Sequence, residues 1–249
     1  MAAQFLPGHG DARLAVHRLG AGRPVLLLHG LFSSAEVNWI KYGTAEKLAD
    51  AGFECIMPDL RAHGQSDAPH GASAYPTDVL VRDALALVTN LGLTDYDLVG
   101  FSLGARTAVQ AVIAGLSPRR LVLGGMGLEG LSGWARRSAH FVDAIDRFGT
   151  IERGDPAFVA QAFMKTMAVD RVAARQLLLS VADVSPEALR RVTMPTLVVC
   201  GADDGDNGSA PALAAALPVG SYAEVPGNHM SSVTKPEFGE AIARFLAAP

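Results

Sequence analysis

The pentapeptide Gly100-Phe101-Ser102-Leu103-Gly104 sets one hydroxyl between two glycines. A serine is a weak nucleophile until a neighbouring base takes its proton and an acid orients that base. The flanks indicate how Ser102 is presented. "DLVG" before it reads as a buried strand, and the chain from Leu103 to Ala114 reads as a helix. So tight a strand-to-helix turn forces its central residue into an uncommon backbone conformation. Glycine two positions before and two after removes the side chains that would collide there. The hydroxyl then stands above the carboxyl end of a strand, and the helix that follows aims its first amides at the same spot.

A base and an acid should follow in the order Ser, Asp or Glu, His. Two histidines lie downstream of Ser102. His140 falls in a helix-like stretch and reads as a helix-surface residue. His229, in "VPGNHMSS", sits in a loop between the last strand and the last helix and is the expected general base. The acid should follow the preceding strand, where "TLVVCGADDGD" offers Asp203, Asp204 and Asp206. Asp204 is preferred, Asp203 is next, and Glu129 is a weaker alternative at the end of another strand. A tetrahedral oxyanion needs backbone N–H donors. Leu103 should supply one. The loop "HGLF" after the strand "PVLLL" should supply the other, from Leu31 first and Phe32 second. His29 is expected to shape that loop. Phe32 and Phe101 are the residues beside this centre expected to touch substrate.

The elements that must position these groups alternate. A hairpin, "AQFL" and "RLAVHRL" around "PGHGD", opens the chain. Apolar runs then recur as buried strands at "PVLLLHG", "FECIMPD", "YDLVG" and "RRLVLGG", separated by helical patterns near Thr44–Ala51, over "TDVLVRDALALVTNLGL" with Thr77 as N-cap, and from Leu103. Such alternation favours a mostly parallel sheet with helices on both faces, and ligands bind such sheets outside the carboxyl ends of the strands. Residues 128–192 break the pattern with helix-like stretches and no convincing strand. "MPTLVVCG" then resumes the sheet. The expected division is a core of residues 1–127 and 193–249 with a helical cap of residues 128–192. Trp134, Phe141, Phe148, Phe158, Phe163, Met164 and Met167 would form the cap's own core or line a pocket. Arg106, Arg136 and Arg137 could meet a substrate carboxylate.

Composition narrows the rest. Hydrophobic residues make up 49% of 249 residues, enough for a sizeable core and unlike a disordered chain. The net charge of −4 gives no footprint for nucleic acid. No apolar run is long enough to span a bilayer, and the N-terminus has no basic start followed by an apolar segment. Cys55 and Cys200 lie in apolar runs and read as reduced core residues. The expectation is a cytoplasmic protein acting on a small molecule, with no membrane partner, no cofactor and no metal site.

Four landmarks in order carry a resemblance over essentially the full length: "HGLF" (29–32), "DLRAHGQSD" (59–67), "GFSLG" (100–104), and "GADD" (201–204) with "GNH" (227–229). The chain resembles the α/β-hydrolase superfamily. The resemblance implies an eight-stranded, mostly parallel sheet, a helical cap between strands six and seven, and a Ser-His-Asp triad on Ser102, His229 and Asp204. Ala62 departs from the family's usual glycine in the second landmark. Serine at 102 argues against haloalkane dehalogenases and epoxide hydrolases, which use aspartate there. The implied function is a serine hydrolase of small to medium carboxylic esters. The alternatives on the same triad are a C–C bond hydrolase, a cofactor-free perhydrolase or a slow-turnover ligand receptor.

Overall fold

A computed structural model describes residues 2–248. Its eight strands are β1 (Gln4–Pro7), β2 (Arg13–Gly20), β3 (Arg23–Leu28), β4 (Phe53–Pro58), β5 (Asp97–Phe101), β6 (Leu121–Gly124), β7 (Thr196–Gly201) and β8 (Gly220–Val225). They form one sheet in the order β1-β2-β4-β3-β5-β6-β7-β8. β1 and β2 pair antiparallel, as the turn-flanked hairpin predicts, and β2 is antiparallel to β4. Every other pairing is parallel. Strands covered on both faces read as unbroken apolar runs, and β5, β6 and β7 are buried at every position.

The helices are α1 (Thr44–Asp50), α2 (Val79–Asn90), α3 (Leu103–Ile113), α4 (Leu128–Ser132), α5 (Trp134–Asp146), α6 (Phe158–Thr166), α7 (Arg171–Ser180), α8 (Ala210–Ala216) and α9 (Pro236–Ala247). Two cores result, one on each side of the sheet. Leu48 of α1 and Phe238 and Ile242 of α9 pack with Val25, Val99 and Val199 on one face. Leu87 of α2, Ala105 of α3 and Leu213 of α8 pack with Leu26, Leu98 and Val198 on the other. No helix among the described residues is long and apolar enough to cross a membrane.

Between β6 and β7 the chain forms α4 to α7 and a short 3-10 turn, Pro186–Arg191, and no strand. Its buried residues, among them Trp134, Met164 and Leu177, join the core that also holds α2 and α3.

Two local expectations need correction. Thr77 does not cap α2. The N-cap is Asp78, in the left-handed region at φ 56°, and its carboxylate makes no cap bond. That carboxylate instead accepts from the amide N–H of Ala182 at 2.9 Å and from Gln110 at 3.3 Å, a tertiary use that outcompetes local capping. The segment Glu36–Ile40, for which no element was predicted, is a single π-helical turn. Such turns often accompany functional sites, and this one carries the buried Asn38 and Trp39 toward the loop after β3.

Candidate active site

Parallel pairing aligns the carboxyl ends of the strands. Leu28 pairs with Gly100, Phe101 with Gly124, and Gly124 with Val199. The loops that follow must therefore meet. Ser102 lies at this edge with φ 52° and ψ −112°, a region L-residues seldom occupy. Its N–H donates to Gly124 O at 2.8 Å, which ties the elbow to the neighbouring strand. A side chain at Gly100 would collide with the Gly104 carbonyl, and one at Gly104 with the Leu28 carbonyl. Both glycines are therefore required for the turn to close.

His229 reaches this point from the loop after β8. Its Nε2 lies 3.0 Å from Ser102 Oγ and its Nδ1 2.9 Å from Asp204 Oδ2. Asp204 sits in the loop after β7, and its carboxylate also accepts from the Asp206 N–H at 3.2 Å and the Cys200 thiol at 3.4 Å. Burial pushes the Asp204 carboxyl up, but the His229 contact and these further donors outweigh it and hold the group below its ordinary value. The thiol responds oppositely. Burial first, and then the Asp204 charge, push Cys200 up to about 12. Asp203 is exposed, and its N–H pairs with Gly227 O. Glu129 accepts from the Ser209 N–H at 2.8 Å, and it is Asp204 that pairs with His229. His140 is exposed on α5.

The loop after β3 is held by side chains scattered along the sequence. Asn38 Oδ1 accepts from the Gly30 N–H at 2.9 Å. His29 donates from Nδ1 to Gly30 O at 2.8 Å and accepts at Nε2 from the Leu60 N–H at 2.9 Å. His63 Nε2 accepts from the Phe32 N–H at 2.9 Å. That bond removes Phe32 as the second-choice oxyanion donor. The N–H groups of Leu31 and Leu103 have no hydrogen-bond acceptor among the described residues. Both histidines are fully enclosed, and burial lowers His29 to about 4 and His63 to about 3, so each stays neutral at pH 7. Ala62 adopts φ 66° in the loop after β4, so that loop keeps a glycine-like backbone despite the methyl group.

A cavity of about 730 Å³ opens over Ser102 and His229. Leu31, Phe32, Phe101, Met126, Phe141 and Phe163 give it apolar walls. The Phe101 ring stacks 5.1 Å from the His229 ring, and the Phe32 ring meets Phe141 edge-on at 5.5 Å. Of the large apolar residues between β6 and β7, Trp134, Phe141 and Phe163 line the cavity. Phe148, Phe158 and Met164 pack the core. Arg106 was expected as an arginine that could meet a substrate carboxylate. It is instead buried, donating to the backbone oxygens of Gly130, Leu131 and Ala182 at 2.7–2.9 Å. Sequence reasoning also missed Asn207, whose amide donates to Gly125 O at 2.7 Å and joins the loops after β6 and β7. Asp204, Asp206 and His229 bring one ligand atom each within 4.8 Å of one another. Both His229 nitrogens and Asp204 Oδ2 are already engaged within the Ser102–His229–Asp204 chain.

The α/β hydrolase fold family model matches residues 23–121, the stretch from β3 to the start of β6. An epoxide hydrolase from Caballeronia sordidicola is 36% identical over 100 residues, which cover 40% of this chain and 30% of that protein. A hydrolase from Pseudomonas aeruginosa superposes with TM-score 0.76 at 25% identity over 99% of this chain and 98% of that one. An esterase from Exiguobacterium antarcticum superposes with TM-score 0.80 at 20% identity over the full length of both chains. The matched stretch thus spans under a third of the curated epoxide hydrolase, whereas the fold is shared end to end. The eight-stranded sheet, its strand order, the matched stretch and the end-to-end superpositions agree on the α/β-hydrolase fold.

Proposed function

We propose that the chain is a serine hydrolase that cleaves small to medium carboxylic esters through an acyl-enzyme. The observation that carries this reading is the hydrogen-bonded line Ser102–His229–Asp204, built on an elbow whose serine is held at φ 52°. His229 Nε2 takes the Ser102 proton as Oγ attacks the acyl carbon. The amides of Leu31 and Leu103, which lack protein acceptors, receive the oxyanion. Asp204 keeps the Nδ1–H tautomer and balances the imidazolium charge. His229 then protonates the leaving alkoxide and next activates water against the acyl-enzyme. Ser102 rather than aspartate at the elbow favours this chemistry over epoxide opening. The segment 128–192 serves as a cap whose α5 and α6 wall the substrate cavity.

Initial rates on 4-nitrophenyl esters of increasing acyl length test the reading. Wild type turns over, with a length profile that sizes the cavity. Ser102→Ala and His229→Ala each lose at least about a thousandfold in kcat. Full activity in Ser102→Ala, or a wild type inert on every ester, overturns it.

A further inference from the structure

The cavity has an uneven distribution of charge that its apolar walls do not explain. One broad face of α5 lines it, and that face carries Arg136, Arg137 and His140 beside Phe141. Arg136 makes no hydrogen bond or ion pair among the described residues. Arg137 donates from Nη1 to the backbone oxygen of Asp206 at 2.7 Å and lies over the Phe141 ring at 5.6 Å, with no carboxylate partner within ion-pair distance. Burial works against its charge and outweighs the favourable influence of the Asp206 and Asp204 charges nearby. A partly desolvated guanidinium without a carboxylate partner is costly unless an anion arrives to meet it.

The other charged groups on the wall do not fill that role. Both Arg106 Nη groups are engaged by backbone oxygens and Asp183. The Glu129 carboxylate is engaged by the Ser209 N–H. Asp206 is the one acid left, its carboxylate within 4.8 Å of the Asp204 and His229 ligand atoms; its charge favours that of Arg137 through space but forms no ion pair with it. The protein as a whole carries −4, so this cationic face is local and not a consequence of overall charge.

We propose that the substrate is an ester bearing a free carboxylate, which Arg136 and Arg137 receive while Phe101, Met126, Phe141 and Phe163 enclose its apolar body. This rests on the serine-hydrolase reading above. A planar guanidinium fork matches a carboxylate in two parallel hydrogen bonds, so the pair selects for this group and not for bulk alone. The carboxylate sits at the cap end of the cavity and the scissile carbonyl at the Ser102 end. The length between them is therefore part of the selection.

The test uses matched pairs of 4-nitrophenyl esters. Each pair is the half-ester of a straight-chain dicarboxylic acid (succinic to suberic) and the same compound with its far carboxylate methylated. Wild type favours the free acid by about tenfold or more in kcat/KM at one preferred length, chiefly through KM. The Arg136→Gln and Arg137→Gln double variant brings that ratio close to one. A wild-type ratio near or below one at every length overturns the proposal, as does a ratio that survives in the double variant. Failure of the hydrolase reading looks different: neither member of any pair turns over, and a fluorophosphonate does not label Ser102. Calorimetric titration with adipate then decides the anion site alone. Binding to wild type that the double variant loses supports it, and no binding to wild type overturns it.

Discussion

If Ser102 is the nucleophile we propose, it lowers stability for the sake of reactivity. Its backbone, at φ 52° and ψ −112°, is one that glycine adopts freely and other residues adopt at a cost. Replacing it with glycine therefore relieves strain, whereas alanine keeps the strain and loses the hydroxyl. Ser102→Gly is expected to be more stable than Ser102→Ala by about 1 kcal/mol in urea unfolding, with both inactive. Equal stabilities would mean that the elbow is unstrained. Asp204 is the complementary case, where charge and not shape is at issue. It receives His229 Nδ1–H, the Asp206 N–H and the Cys200 thiol. An amide in its place can offer a donor to Nδ1 and so favour the wrong tautomer. Asp204→Asn should lower kcat by about 10⁴-fold while KM and the unfolding midpoint move little. A loss of under tenfold would remove Asp204 from the relay.

Two buried histidines hold the loop after β3, His29 within it and His63 from the loop after β4, and their titration gives it a pH signature. His29 and His63 both titrate ordinarily near 6.5, and burial lowers them to about 4 and about 3 in the fold. Each must be neutral at Nε2 to accept from the Leu60 or Phe32 N–H. Between the two sets of values the unfolded chain binds protons that the native state refuses. Stability is therefore full above about pH 6.5 and falls as pH drops toward 4, with a slope approaching ~1.4 kcal/mol per pH unit for each histidine. Urea unfolding between pH 7 and pH 5 should show this fall, and His63→Gln should make it shallower. A pH-independent midpoint in wild type would contradict the buried neutral pair. The same region marks where sequence patterning stops being informative. β3 to β7 were legible because strands covered on both faces must be apolar at nearly every position. The π-turn Glu36–Ile40 was not, because no periodicity specifies it. It forms where Asn38 captures the Gly30 amide and Trp39 is fully buried. Thr77 failed as a cap for a related reason, since Asp78 serves residues more than thirty positions away.

At the scale of the whole molecule, the groups of the site divide by how far apart their partners lie. Ser102, Asp204 and His229 could be picked out singly, because each follows a recognisable strand and parallel pairing brings such loops to one edge. Arg106 could not, because its role depends on partners 24 to 77 positions away. Its backbone N–H donates to Ser102 O at 3.0 Å, one turn into the helix that follows Ser102. Its side chain, only 1% exposed, crosses to the helical segment and donates to Gly130, Leu131, Ala182 and Asp183, with the Trp134 ring 5.0 Å from its guanidinium carbon. One residue thus ties the start of the 128–192 segment and the stretch after α7 to α3. Methionine in its place fills similar volume but removes the Gly130 oxygen's side-chain donor and leaves the oxygens of Leu131 and Ala182 with one donor each, the Val184 N–H and the Gln110 amide. The expected cost is about 2 kcal/mol, with Arg106→Lys intermediate because one ammonium cannot reach every acceptor. Because the lost bonds all lie between α3 and the helical segment, that segment should loosen first. Limited proteolysis of Arg106→Met should cut within residues 128–192 at temperatures where the sheet still resists, while wild type is cut only as it unfolds whole. Cleavage elsewhere first, or wild-type stability in Arg106→Met, would mean that the apolar contacts of Trp134, Met164 and Leu177 hold the two parts together without it.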